Sequence, residues 1–225
     1  MHLANKQLRH RTAHVRVFAH ERTTPIWWHA AKRATDVVLG TALAVLALPI
    51  VFAAAAAIVA VDPGSPFYMQ ERVSRGGRRF RMLKLRTMVH NAHEMRDDVA
   101  HLNEVDGPVF KIRNDPRLHP LGAFLRRTSI DELPNLANVL CGQMSLVGPR
   151  PPLPSEVEHY TPYAMRRLSV PQGITCYWQI SGRSSLSFDE WMRLDNAYVD
   201  TWTPWGDLLI LLRTLPAVLR KDGAH

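Results

Sequence analysis

The chain has 225 residues, with 28 Lys plus Arg against 20 Asp plus Glu, a net charge of +8 and a pI near 10.0. That length excludes a small stapled module, and a mean hydropathy of -0.15 excludes a protein built mostly of membrane spans. The charge points to a polyanionic partner, whether phosphorylated substrate, anionic lipid or nucleic acid, without choosing among them. Cys141 and Cys176 make no metal-binding spacing and no cleavable signal is recognisable, so two free thiols on a reducing cytoplasmic face are expected.

Residues 1–30 are polar, basic and rich in His, and read as a lead-in lying on a surface; Trp27 and Trp28 close it, where aromatic rings favour a membrane interface. Residues 31–62 contain a run without charge from Val37 to Val61, with Pro49 at its midpoint. Proline removes one helical hydrogen bond and crowds the preceding turn, so a kink is expected there. Each leg then has about 12 residues, roughly 18 Å, well short of a ~30 Å hydrocarbon core. Both flanks are basic, from Arg9 to Arg33 before and from Arg72 to Arg86 after, and positive flanks prefer the cytoplasm. A re-entrant hairpin that enters the bilayer and returns on the same side satisfies both facts. A kinked single span and a buried hairpin in a soluble core are the competing readings.

Residues 63–225 read as a cytoplasmic domain. Asp62-Pro63-Gly64-Ser65-Pro66 is dense turn chemistry that ends the apolar unit. Gly76-Gly77 then separates two short runs spaced for a hairpin, whose basic side chains are expected to face outward. Lys84 and Arg86 suit either a phosphate or a solvated cationic edge. His90, His93 and Glu94 look like metal ligands, but the polar stretch continues through Asp97 and Asp98, which reads as a solvated helix.

The stretch Arg126-Arg127-Thr128-Ser129-Ile130-Asp131-Glu132-Leu133-Pro134-Asn135 gathers cations, hydroxyls and two adjacent carboxylates at a helix start. Such a set suits phosphate chemistry: Arg neutralises phosphoryl oxygens, and a carboxylate acts as nucleophile, base or Mg2+ ligand. Two registers compete. Ser129 is the N-cap with Glu132 completing a capping box, or Asp131 is the N-cap with Pro134 in the first turn, where its missing N–H costs nothing. Either way the dipole and nearby cations should keep both carboxylates ionised. On its own, the pair also reads as simple capping of a helix whose Leu133, Leu136, Val139 and Leu140 pack inward.

Downstream, Gly148-Pro149-Arg150-Pro151-Pro152 is a proline-bracketed loop presenting one Arg; such a loop loses little entropy on binding a ligand, but it also suits a structural turn. Near the C-terminal end Thr203 and Pro204 make a good N-cap and first position for a Leu-rich helix, with Trp202 and Trp205 beside it suggesting rest on a bilayer surface or ordinary core packing.

Six ordered strings together resemble the bacterial sugar transferase family, the monotopic polyprenol-phosphate phosphoglycosyl transferases: KLRTM from Lys84, GPVFKIRNDPR from Gly107, LRRTSIDELPN from Leu125, MSLVGPRPPL from Met144, WQISGR from Trp178 and LDNAYV from Leu194. The resemblance covers about residues 31–220. It implies a fold that is mainly α with a small β element, a cytoplasmic catalytic domain on a Pro-kinked re-entrant membrane helix, at the cytoplasmic face of the bacterial inner membrane. It implies transfer of a hexose 1-phosphate from a UDP-hexose to undecaprenyl phosphate, with release of UMP, at the start of exopolysaccharide, capsule or O-antigen synthesis. By the same resemblance Asp131 is the nucleophile and Mg2+ ligand, Glu132 its helper, and Lys84, Arg86, Arg126, Pro149, Arg150, Pro151, Gln179 and Arg183 bind substrate. Membrane lipids are the other expected partners, no nucleic acid is expected, and a homo-oligomer is compatible. The chain is expected to be a minimal catalytic form, without the long membrane-spanning N-terminal region of larger relatives.

Three positions depart from the family's pattern. Gln172 and Cys176 stand where PGITG has its first Pro and last Gly, and Leu48 stands where Ser often precedes the helix-breaking proline. The rival reading from another class is a non-catalytic peripheral protein that binds anionic lipid or nucleic acid through its basic surface; it leaves the acid pair and the proline-bracketed Arg unexplained.

Overall fold

The computed structural model describes residues 24–104, 107–110, 112, 114–181 and 186–219. Helix α1 runs over Ile26–Val61 with Pro49 inside it, so the apolar segment is one helical element rather than two helices joined by a loop, and Trp27 and Trp28 belong to its first turn rather than to the lead-in. Among the described residues it is the single helix long and apolar enough to cross a membrane. Lys32, Asp36, Gly40, Ala47, Ala55 and Ile58 are its buried positions, and their spacing by multiples near 3.6 traces one stripe against the domain. Val38, Leu46, Phe52 and other large apolar side chains of the opposite face stay exposed.

Both ends of α1 are polar and both are tied to the same domain. At the start, Lys32 Nζ pairs with Asp207 Oδ2 at 2.6 Å and donates to Val147 O at 2.8 Å, Asp36 accepts from Ser145 Oγ and Leu146 N at 2.9 Å each, and Arg33 reaches Val139 O and Leu140 O at 2.7 Å. At the far end, Asp62 Oδ2 receives Arg86 Nη1 at 2.5 Å.

Strands β1 (Phe67–Val73) and β2 (Arg79–Leu85) form the expected antiparallel hairpin. Its connection, Arg75–Gly77, uses Gly76 at φ 69° and Gly77 at φ 80°, a left-handed region that glycine enters without a Cβ clash. The basic residues do not all face outward. Arg72 stands opposite Phe80, and Tyr68 opposite Lys84; directly opposed residues share a face, so Arg72 and Lys84 lie on the side that buries Phe80 and Met82. Beyond the hairpin, residues 90–102 hold short 3-10 turns at Glu94–Arg96 and Ala100–Leu102 in place of the expected solvated helix, and His90 contacts Pro63 O at 2.6 Å.

The remaining helices are short: α2 (Gly122–Arg127), α3 (Asn135–Leu140), α4 (Pro154–Val157), α5 (Pro162–Met165) and α6 (Tyr177–Ile180), followed by the longer α7 (Phe188–Thr201) and α8 (Pro204–Leu219). A second, parallel pair of strands, β3 (Ser145–Val147) and β4 (Gly173–Thr175), brings residues 145–148 against 173–175, a long-range pairing with no hairpin signal in the sequence. The core gathers Phe80, Met82, Leu136, Val139, Leu146, Tyr198, Trp202 and Ile210, and a smaller cluster of Ala55, Ile58, Leu85 and Leu125 joins the end of α1 to the hairpin and α2. Each wholly buried aliphatic side chain, such as Val139 or Ile58 at 0% exposure, contributes about 1.5–3 kcal/mol through burial. Thr203 caps α8 by accepting from Gly206 N at 2.9 Å, as its position implied; Trp202 is buried in the core, whereas Trp205 stands 77% exposed.

Candidate active site

The acid pair sits in neither of the two helical registers. Ile130–Glu132 is a single 3-10 turn entered from Ser129, the one non-glycine residue at positive φ (56°) among the described residues, and α3 starts only at Asn135. Pro134 therefore precedes the helix and removes none of its hydrogen bonds. Leu136 and Val139 still pack inward, so the short turn is held by the burial of the helix that follows it.

Asn138, on α3, fixes this turn against the hairpin. Its Nδ2 donates to Arg81 O at 2.8 Å and its Oδ1 accepts from Leu83 N at 3.0 Å. The next residue along β2, Lys84, then meets Glu132 Oε1 at 2.6 Å. From the other side Arg126 Nε donates to Thr87 Oγ1 at 3.1 Å, which ties α2 to the segment after β2.

Asp131 and Glu132 are adjacent yet differ electrostatically. Asp131 is buried at 7% exposure, and among the described residues no ion pair engages its carboxylate. Burial pushes its pKa up to about 6, with Glu132 adding to the rise, against the opposing pull of Lys84 and Arg126. Glu132 is driven the other way: burial opposes its ionisation, but Lys84, aided by Arg150 and Arg72, outweighs it and holds the carboxyl below the usual range. Both carboxylates are thus ionised near pH 7, as expected, but the cations favour Glu132 while burial raises Asp131 above the ordinary range, which the sequence expectation did not distinguish.

The Gly148–Pro152 loop is held from several sides. Lys32 Nζ and Tyr198 Oη donate to Val147 O, Gly148 N donates to Thr175 O, and Gly173 N donates to Pro149 O. Gly148 and Gly173 pack so closely that a Cβ on Gly148 would lie 2.2 Å from Pro171 O. Arg150 projects from this loop, half-buried, with Nη1 3.8 Å from Glu156 Oε1 and its guanidinium 5.6 Å from the centre of the Trp191 ring. Pro149 and Pro151 are buried and shape the loop. Gln172 resolves one departure from the family pattern: its Nε2 donates to Arg167 O and Val170 O at 2.9 Å each, so an amide secures the backbone where the pattern has proline. Cys176 adopts φ -159°, extended backbone open to any residue, and needs no glycine.

Lys84, Arg126 and Arg150 thus surround the acid pair, the last two through the fields they set at Asp131 and Glu132 respectively. Arg86 is placed otherwise: its guanidinium is engaged by Asp62 Oδ2 and Asp62 O, fastening α1 to the hairpin. Gln179 lies in α6, which packs on α7 and α8, and donates to Ile174 O at 2.8 Å. Arg183 lies outside the described residues. Sequence reasoning missed Arg72, which is 3% exposed behind the loop, and Arg167, whose Nη2 meets Asp195 Oδ2 at 2.7 Å. Arg72 turns inward through its cross-strand pairing with Phe80, and nothing local marks either it or Arg167.

No group of three or more His, Cys, Asp or Glu side chains among the described residues is placed to hold a metal. Mg2+ is usually held by one or two carboxylates together with substrate phosphates. Asp131, whose carboxylate has no ion pair among the described residues, fits that pattern, whereas one oxygen of Glu132 is already taken by Lys84.

An apolar cavity of about 440 Å³ opens beside this turn, between Pro49, Ile50, Ala53 and Ala57 of α1 and Leu121, Phe124, Leu125 and Ile130. A charged turn, an Arg-bearing loop and an adjoining apolar cleft thus lie side by side, the turn from the string that starts at Leu125, the loop from the string that starts at Met144, and the cleft mostly from α1 and α2. The family model for bacterial sugar transferases matches residues 27–221. The chain belongs to the bacterial sugar transferase family. Relatives of this bacterial sugar transferase include the galactosyl transferase CpsE of Streptococcus agalactiae, 47% identical over 72% of this chain and 36% of the relative. The UDP-galactose-lipid carrier transferase of Erwinia amylovora is 40% identical over 86% of this chain and 41% of its own length. The exopolysaccharide production protein ExoY of Rhizobium meliloti is 37% identical over 87% and 88%. The chain thus spans well under half the length of the first two and most of the third.

Proposed function

We propose that this sugar transferase moves a hexose 1-phosphate from a UDP-hexose to undecaprenyl phosphate, as the first membrane step of exopolysaccharide, capsule or O-antigen synthesis. The observation that carries the reading is Asp131: a buried carboxylate without an ion pair, set between phosphate-binding cations and an apolar cavity. Its oxygen attacks the β-phosphorus of the UDP-hexose, the phosphoanhydride bond breaks, and UMP leaves with the bonding electrons. An oxygen of the lipid phosphate then attacks the same phosphorus and frees Asp131. Dividing the transfer in this way lets a soluble nucleotide and a lipid visit one carboxylate in turn.

A raised pKa makes Asp131 a more basic nucleophile while leaving it mostly ionised near pH 7. Arg126, with Nε fixed by Thr87, turns its two terminal nitrogens to phosphoryl oxygens. Lys84 keeps Glu132 ionised, and Glu132 orients the lipid phosphate or takes its proton. Mg2+, held by Asp131 and the diphosphate, would supply charge neutralisation for the departing UMP. The apolar cavity beside Ile130 matches the chemistry of a polyprenyl tail whose phosphate must reach Asp131.

A re-entrant α1 at the cytoplasmic face of the inner membrane is part of the proposal. What supports it is that polar ties at Lys32 and Asp36, and again at Asp62, fasten both ends of an apolar helix to one domain. A cysteine placed near residue 20 should resist membrane-impermeant reagents in intact cells; periplasmic labelling would sink this topology. The reaction is tested with purified protein in detergent. Sustained UMP release that requires a UDP-hexose, Mg2+ and polyprenol phosphate together, with no more than one UMP per enzyme when the polyprenol phosphate is left out, is the expected result, and a panel of UDP-sugars identifies the donor. Tight binding to anionic vesicles or nucleic acid without any such release would favour the non-catalytic rival.

A further inference from the structure

Arg72 is a cation to which the chemistry just described gives only a minor part, as the last of three that hold Glu132 ionised. It is 3% exposed, and burial, with Arg150 nearby, pushes its pKa down to about 9. Among the described residues it has no carboxylate at ion-pair distance; its Nε and Nη2 donate to Gln70 Oε1 and its Nη1 to Pro151 O at 2.9 Å. A buried guanidinium without an ion pair is costly, so its retention calls for a return elsewhere.

The return is visible in the loop that carries Arg150. Four successive carbonyls are each gripped by a donor, from three parts of the fold: Pro149 O by Gly173 N, Arg150 O by Arg167 Nη2 at 2.8 Å, Pro151 O by Arg72 Nη1, and Pro152 O by Val73 N at 2.9 Å. Arg72 and Val73 are consecutive in β1, so the hairpin holds the loop by two adjacent carbonyls. The same hairpin carries Lys84 on the same face, against Glu132. One rigid ribbon therefore sets both the Lys84–Glu132 pair and the backbone from which Arg150 projects.

We propose that Arg72 is a positioning residue for the donor nucleotide: by holding Pro151 O it fixes Arg150, and through it the grip on the UDP-sugar diphosphate. This rests on the proposed function. Arg72 itself does not touch substrate, since its side chain is enclosed. It acts through Arg150, and the two residues should therefore behave as one unit. Arg72 also adds, after Lys84 and Arg150, to the field that keeps Glu132 ionised, so the polyprenol side of the reaction should depend on it only weakly.

The test uses the full-length protein in detergent with Arg72→Met, Arg72→Lys, Arg150→Met and the Arg72→Met/Arg150→Met double variant. Arg72→Met should raise KM for the UDP-sugar about tenfold or more, the scale of one charged hydrogen bond, with KM for polyprenol phosphate within about twofold of wild type. Arg72→Lys should recover part of the loss. The double variant should be no worse than Arg150→Met alone. Hydrogen exchange at residues 146–153 should speed up in Arg72→Met while α3 is unchanged, which separates a loosened loop from a protein that fails to fold. Additive losses, an equal rise in both KM values, or unaltered exchange in the loop would each overturn the proposal. If the wild-type protein releases no UMP from any UDP-sugar, the functional reading fails instead, and the exchange comparison alone decides whether Arg72 holds the loop.

Discussion

Two ion-pair regions of this molecule look alike on paper and do opposite things. In the interior, Arg167 and Asp195 are both essentially unexposed, at 1% and 0%, and Arg167 also donates to Tyr160 Oη and Arg150 O. In the candidate site, Lys84 and Glu132 pair at 2.6 Å but keep 17% and 33% of their side chains exposed, beside a carboxylate that has no ion pair among the described residues. A fully enclosed pair with added hydrogen bonds fixes architecture. A half-open pair next to an unpaired acid leaves room for an incoming anion, and that opening separates chemistry from scaffolding.

The strongest way to break this contrast is Asp131→Asn. It should lower UMP release and capture of a covalent phosphosugar by about 10³-fold or more, with membrane association retained, as measured in washed membranes and by radiolabel retention. The same variant should be more stable than wild type at neutral pH. The folded-state pKa of Asp131 lies above the ordinary carboxylate range, so its contribution to stability is present at low pH and is lost as pH rises through about 6. Removing the charge should return stability on the order of 2 kcal/mol near pH 7, read as a higher unfolding temperature in detergent.

Arg167→Met should do the reverse, costing about 3–5 kcal/mol by stranding Asp195, so that loss of fold precedes any kinetic effect. Lys84→Met should sit between, with a stability cost of about 1 kcal/mol and a larger relative loss of turnover. If both variants lose stability equally at unchanged turnover, the two regions are not distinct. A milder probe is pH: turnover should fall as pH drops below about 6, where Asp131 takes a proton. Glu132→Gln should slow turnover by roughly 10–100-fold and leave UDP-sugar binding nearly intact; a rate equal to wild type would remove Glu132 from the mechanism.

The contrast also explains what was legible in the sequence. The hairpin, the cap at Thr203 and the inward face of α3 follow from local rules about glycine pairs, capping side chains and periodic leucines. The residue types of the acid pair suggested chemistry, but its geometry was not legible, because Ser129 at positive φ and a single 3-10 turn carry no propensity signal. The role of Arg86 as a tie to Asp62, the inward turn of Arg72 and the burial of Arg167 depend on contacts across 17 to 79 residues. So does the parallel pairing of β3 with β4, which no neighbouring turn announces. At Asp131 the balance between burial and nearby cations is set by depth in the fold, which adjacent residues do not encode.

The bond from Lys32 to Val147 O joins the apolar helix to the residue just before Gly148. The anchor is therefore not an interchangeable handle: replacing α1 with an unrelated span, or trimming it to obtain a soluble catalytic piece, would take away a support of the loop that holds Arg150. Any water-soluble redesign has to keep the first two turns after Trp28 and change only the outward apolar face.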